Sequence, residues 1–197
     1  VLPEQAAEIL RYWFDPGPEA KNYSTKWFPS PKSGHRETTD AYITEKFSAL
    51  LKDVEEVRGW SSGAWEKEWC ERPESYVAML VLLDQFPRHV YRSEPDAVRL
   101  RNDGRAVGLA ERFLDKGLHA RVPAVHAVFA MMPLRHSPSV PRLRRIMGVL
   151  DGAELAPVSN AADAAVVERF RKQTLRRLQG MEDDERARTA GTILERE

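Results

Sequence analysis

Pro73-Glu74-Ser75-Tyr76-Val77-Ala78-Met79-Leu80-Val81-Leu82-Leu83-Asp84-Gln85-Phe86-Pro87 is the stretch on which the fold turns. Its apolar side chains point to all sides at helical spacing, and it lacks the period-two alternation of a half-buried strand. Composition alone also admits a fully buried strand. The span from Pro73 to Phe86 is longer than strands commonly run, and most of its residues are good helix formers. Proline suits the first helical turn, where its missing N–H has no helical partner to lose. The stretch therefore predicts a helix through the middle of the molecule, with Pro87 disfavouring helical geometry at Phe86 and ending it.

Upstream, Ala6, Ile9, Leu10, Trp13 and Phe14 recur three and four residues apart after Pro3, until Asp15-Pro16-Gly17-Pro18 stops the pattern. A polar loop with Pro29 and Pro31 follows, pinned by Trp27 and Phe28. Tyr42, Ile43, Phe47, Leu50, Leu51 and Val54 make an amphipathic helix whose expected cap is Thr38 or Thr39. Trp60, Trp65 and Trp69 fall in a shorter helical stretch, with Trp65 and Trp69 on one face and packed in the core.

Downstream, Ser93-Glu94-Pro95-Asp96 reads as a helix start, and Gly117 as the stop after Asp115 or Lys116. Gly104 and Gly108 inside that helix suggest the close approach of another helix, since each otherwise costs about 1 kcal/mol against alanine. Further helices are expected over Val122 to Met132, ending before Pro133; after Ser137-Pro138, carrying Leu143, Ile146, Met147 and Leu150 and closed by Gly152; and over about Asn160 to Leu178. The sum is an all-α array of seven or eight helices joined by short loops. It forms one helical domain over residues 1–180, with a weakly ordered charged tail over 181–197.

Charge and cysteine content narrow the function classes. Lysine plus arginine and aspartate plus glutamate number thirty each, so no polyanion partner is indicated. Arginines cluster in the later helices (Arg142, Arg144, Arg145, Arg169, Arg171, Arg176, Arg177), but neighbours one or two apart point different ways on a helix. A solvated face explains them better than nucleic-acid binding. Cys70 is the only cysteine, which excludes an internal disulfide and a multi-cysteine zinc site and suits a small buried hydrophobe. No run of eighteen apolar residues is present and no secretory signal is legible at Val1–Gln5, so no membrane association and a cytoplasmic location are expected; a removed targeting segment is the alternative.

The strong catalytic motifs are absent: no phosphate-binding glycine loop, no dinucleotide fingerprint, no nucleophile elbow, no zinc-protease pair. His119 and His126 have no carboxylate at metal-ligand spacing, so neither a metal nor a cofactor is expected. One segment departs from the background. Asp84, Gln85, Arg88, His89 and Arg92 crowd the end of the most apolar helix. There Arg88, His89 and Arg92 can donate to the last helical carbonyls, or Arg88 and Arg92 can clamp a carboxylate or phosphate in a cleft. A second polar island is Arg135-His136-Ser137 between Pro133 and Pro138. Ser137 suits a helix cap and His136 a loop residue; alternatively His136 serves as a general base.

Trp13-Phe14, Lys26-Trp27-Phe28, Leu82-Leu83-Asp84-Gln85-Phe86-Pro87-Arg88 and Met132-Pro133 ahead of His136-Ser137 together resemble the uncharacterised bacterial family known as domain of unknown function 924. The resemblance is carried by residues 6 to 140 and thins beyond. The family's Phe-Gly-Arg-Phe-Pro-His-Arg-Asn stretch is missing, with Arg177-Leu178-Gln179-Gly180 its remnant, and Pro138 stands where the family has glutamate after His-Ser. The resemblance implies a tetratricopeptide-like α-α superhelix without a repeat consensus, and it aligns Arg92 and Asp103 with the family's arginine and aspartate. It implies no reaction.

Two function classes remain open. The first is a non-catalytic interaction or scaffold domain whose groove receives a peptide or protein. The second is a small-molecule site for an anionic ligand, with or without catalysis, built on Asp84, Arg88, Arg92, Asp103 and His136. It requires those side chains to share one cleft.

Overall fold

The computed structural model describes residues 2–15, 24–27, 34–56, 64–158 and 160–194. Among them every regular element is helical, so the chain is all-α, as its periodicity predicts. Helices α1 (Glu4–Phe14), α2 (Ser24–Trp27), α3 (His35–Glu55) and α4 (Ala64–Trp69) precede the apolar stretch, which forms α5 (Pro73–Leu80) and a π-helical turn (Val81–Gln85). After it come α6 (Pro87–Val90), α7 (Asp96–Arg99), α8 (Asp103–Asp115), a 3-10 turn (Leu118–Arg121), α9 (Ala124–His136), α10 (Val140–Asp151) and α11 (Ala161–Leu194). Trp60, Phe28 and the prolines around it lie outside the described residues.

Two helices without a polar face form the centre. Tyr76 to Leu83 are wholly buried in α5 and its π turn, and Val125 and Ala127 to Leu134 are buried in α9. Helix α9 packs against α5, α8, α10 and α11, while α1 lies across α5 and α3 lies on α6. An aromatic group closes the α1 end: the Trp13 ring meets Phe86 and Phe129 edge-on, each at 5.6 Å between centroids. Trp65 and Trp69 pack edge-on at 5.6 Å, and Cys70 is buried, as expected of both.

Proline 87 does not end the helix. Phe86 keeps helical angles (φ −64, ψ −35) and α6 follows at once. The physical reason is the π turn, in which the Phe86 N–H donates to the Val81 carbonyl at 3.2 Å. A proline in an α-helix clashes with the carbonyl four residues back, and the wider five-residue register gives its ring room. Pro133 likewise sits inside α9, which runs on to His136. Where the Ser93 start predicts one long helix, the chain makes α7 and then restarts at Asp103. Between them Arg101 and Asn102 both donate to the Glu55 carboxylate, Asn102 at 2.6 Å, which pulls the backbone away from helical continuation. Helix α3 begins at His35, with Gly34 in the left-handed region (φ 69), so Thr38 and Thr39 lie inside it and neither caps it. Gly117 (φ 64) stops α8 as expected.

The glycines of α8 have a different role from the one the sequence suggests. A β-carbon on Gly104 would meet nothing within 4 Å, and one on Gly108 would meet only the Arg112 side chain at 3.8 Å. No second helix approaches there. Helix α11 runs past Met181 to Leu194, beyond the expected limit at Leu178, although Leu178 is the last buried residue among its described side chains.

Candidate functional site

Asp84 lies in the π turn with its side chain 1 % exposed, the one buried carboxylate among the described residues. Its neighbours satisfy both oxygens. Arg88 Nη2 donates to Oδ1 at 3.1 Å, His136 Nδ1 lies 2.9 Å from the same oxygen, and Gln85 donates to Oδ2. The same Arg88 nitrogen reaches Asp103 at 3.2 Å on Oδ1 and 3.3 Å on Oδ2. Residues from the π turn, α6, the first turn of α8 and the last turn of α9 thus meet at one guanidinium. Four of the five residues nominated by the sequence share one cluster, on separations of up to 52 positions.

Arg92 does not join it. It turns to Asp40 on α3, donating from Nε and from Nη2 (2.9 Å), and His89 Nδ1 meets the same carboxylate at 2.7 Å. Burial pushes the His89 imidazole down, outweighing the pull of Asp40, while Arg92 adds to the depression. This second cluster ties the start of α3 to α6. The sequence carried no signal for Asp40, which sits about fifty residues from its partners.

The tautomer of His136 follows from the geometry. Arg88 Nη2 is 3.1 Å from His136 Nδ1, and both touch Asp84 Oδ1. An ionised oxygen 2.9 Å from a bare ring nitrogen would be repelled, so Nδ1 donates to Asp84, and Arg88 Nη2, itself a donor, is a neighbour of that nitrogen and not its hydrogen-bond partner. Burial raises the Asp84 carboxyl, but the His136 and Arg88 charges and hydrogen bonds together outweigh it and hold it below the ordinary carboxylate range. Asp84 is therefore ionised at neutral pH, and it leaves Nε2 as the free end of the His136 ring. Burial opposes the Arg88 charge, and Asp84 and Asp103 more than restore it.

His136 and Asp103 also line a cavity of about 270 Å³, with Gly104, Val107, Pro133, Ser137, Pro138 and Arg142 completing its wall. Asp84 and Arg88 stand behind this wall and orient what faces it. Ser137 does not cap α10; its hydroxyl accepts from Arg142 Nη1 at 2.8 Å, while Arg142 Nε donates to Glu111 at 2.8 Å. Arg142 and Gly104 were missed as site residues. The arginine was hidden in a basic run, and the glycine reads in sequence as a packing position. With Ser137 engaged and Cys70 elsewhere in the core, no activated nucleophile faces the cavity among the described residues. The chemistry the arrangement supports is binding and proton transfer at His136. No group of three or more His, Cys, Asp or Glu able to hold a metal occurs among the described residues, and no described helix is long and apolar enough to cross a membrane.

An all-helical molecule with a buried carboxylate–arginine–histidine cluster beside a small cavity is the class that fold and geometry define. The chain belongs to the bacterial protein family of unknown function DUF924, whose model matches residues 9–177 and so reaches well past the limit near residue 140 drawn from the motifs. A solved structure of a protein of unknown function, ATU0120 from Agrobacterium tumefaciens, has a similar fold, with a TM-score of 0.59 and 22% identity over 84% of this chain and 80% of that one. No curated protein matches.

Proposed function

We propose that this protein binds a small anionic molecule in the cavity between α8, α9 and α10, with His136 exchanging a proton with it. The observation that carries the reading is the pairing of His136 with a carboxylate that is 1 % exposed. A buried ion costs several kcal/mol of desolvation unless its partners are well placed, and here that carboxylate fixes the ring and its tautomer at a cavity wall. With Nδ1 committed to Asp84, Nε2 is the ring nitrogen left to exchange a proton with a bound ligand, and Arg88 helps keep Asp84 ionised.

Size and charge support the ligand class. A cavity of about 270 Å³ falls just below the usual range for drug-sized ligands and suits a small metabolite. Arg142, held in place by Glu111 and Ser137, brings a guanidinium to one wall, and the charge of the Asp103 carboxylate in the same lining is met by Arg88. Pro138 contributes a neutral ring where the family pattern has a glutamate, which makes that wall less hostile to an anion. The interaction-domain reading needs a broad apolar groove, and among the described residues the exposed large apolar side chains are Tyr42 and Val158, on separate elements.

The test uses thermal unfolding of the full chain against a panel of small carboxylates and phosphorylated metabolites, in wild type, Gly104→Leu and His136→Gln. Gly104→Leu puts an apolar side chain into the cavity wall from a position where a β-carbon meets nothing within 4 Å, and its midpoint without ligand checks that it folds. At least one panel member should raise the wild-type midpoint, and the rise should vanish in Gly104→Leu and shrink in His136→Gln. A panel without effect, or a panel in which Gly104→Leu abolishes no member's rise, overturns the reading.

A further inference from the structure

Arg135 is the residue before His136, yet it does not line the cavity, and its surroundings differ from those of the other arginines near it. Arg142 is paired with Glu111, Arg144 with Glu182, Arg145 with Asp115 and Arg171 with Asp151. Arg135 is half-buried at the end of α9, and its enclosed Nε has no hydrogen-bond partner. The charge that bears on it is a second cation: burial and then Arg177 both lower its hold on its proton. Arg177 reaches in from α11, one residue before the buried Leu178, and its Nη2 donates to the carbonyl of His136 at 3.2 Å.

Helix polarity does not account for this pair. The end of α9 carries about half a negative charge. Arg177 already donates to one of the carbonyls that supply it. Two full positive charges against half a negative one leave a surplus of roughly one and a half units, in a place where one guanidinium has lost part of its hydration. A guanidinium so placed, with donors unspent, matches an oxyanion that can take two N–H groups from one arginine and more from the next.

We propose that Arg135 and Arg177 form a phosphate-binding site at the junction of α9 and α11, separate from the cavity that the His136 side chain lines. Arg135 supplies the Nη donors of its fork, its Nε being enclosed by the protein, and exposed Arg177 adds a second guanidinium from the solvent side, so the bound group is held by its oxygens while the rest of its molecule projects outward. The site is independent of the cavity reading, because neither arginine lines the cavity.

The experiment is isothermal titration of the full chain with inorganic phosphate at constant ionic strength, chloride being the balancing ion, with thermal unfolding in parallel. Wild type should bind one phosphate. Arg135→Met and Arg177→Met should each weaken binding about tenfold or more, the scale of one lost charge-assisted hydrogen bond. Arg135→Lys should recover part of it, because a point charge replaces the fork. Gly104→Leu, which blocks only the cavity, should bind phosphate as wild type does. Binding lost in Gly104→Leu and kept in Arg135→Met would assign the phosphate to the cavity and overturn the proposal. Equal binding in wild type and both methionine variants, or no binding at all, would also overturn it.

Discussion

His126 on α9 stacks on Phe14 with ring centroids 3.8 Å apart, and its buried Nδ1 has no partner. Burial lowers its pKa from 6.5 to about 4, with Asp163 on α11 and Glu74 on α5 opposing only part of the shift. The sign follows from which state takes the proton first. As pH falls the unfolded chain protonates near 6.5, while the folded ring stays neutral until about 4. The stability held in the neutral ring is thus fully present above the higher value and is lost as pH falls toward the lower one. At 1.36 kcal/mol per pH unit the loss is about 2 kcal/mol between pH 7 and pH 5. Urea unfolding at the two pH values measures it, and His126→Phe, which keeps the stack, should remove about that much of the difference, leaving the part that the likewise depressed His89 contributes. Parallel losses in wild type and variant would refute the assignment. Asp84 does not blur the window. Its carboxyl is held low, so its contribution is present above the ordinary carboxylate range and is lost only as the pH falls through its depressed value.

At the scale of elements, what the sequence revealed and what it hid have separate physical origins. Helix α1, the Gly117 stop and the apolar character of α5 follow from side-chain periodicity and from one backbone conformation, both local properties. Pro87 and Pro133 were misleading for the same local reason. A proline's clash is with the carbonyl four residues back, and tertiary packing pays that strain through a π turn at Val81–Gln85 and by burying α9 on several sides. The consequence reaches the site, because with Pro133 inside α9 the helix extends to His136 and sets that side chain across from Asp84. Gly108 gives the cleanest test of a local inference overturned by packing. If a helix crossed α8 there, a methyl group would clash. With only the Arg112 side chain at 3.8 Å, Gly108→Ala should stabilise the protein by up to about 1 kcal/mol through helix propensity, read as a higher urea midpoint. A lowered midpoint would restore the close approach.

At the scale of the whole molecule, the candidate site was legible as a composition and hidden as a geometry. Charged residues crowding the end of an apolar helix single out Asp84 and Arg88, a second polar island offers His136, and the family resemblance adds Asp103 and joins the four. Which of them converge depends on how α6, α8 and α9 cross, and that is why Arg92 was assigned to the wrong cluster and Arg142 to none. The same dependence on packing bears on where the fold stops. Helix α11 docks through Phe170, Thr174 and Leu178, whereas beyond Glu182 its described side chains are exposed. Burying a phenylalanine or leucine side chain stabilises by roughly 1.5–3 kcal/mol each. A chain ended after Glu168 should therefore lose about 3–6 kcal/mol, and with it the Arg177 side of the junction with α9. A chain ended after Glu182 keeps Leu178 and the 2.7 Å Arg144–Glu182 pair, so its thermal midpoint should stay within a few degrees of the full chain's, equivalent to about 1 kcal/mol or less. Calorimetry on the two truncations separates the alternatives. If the Glu182 truncation melts as low as the Glu168 one, the far end of α11 holds contacts that residue burial does not reveal.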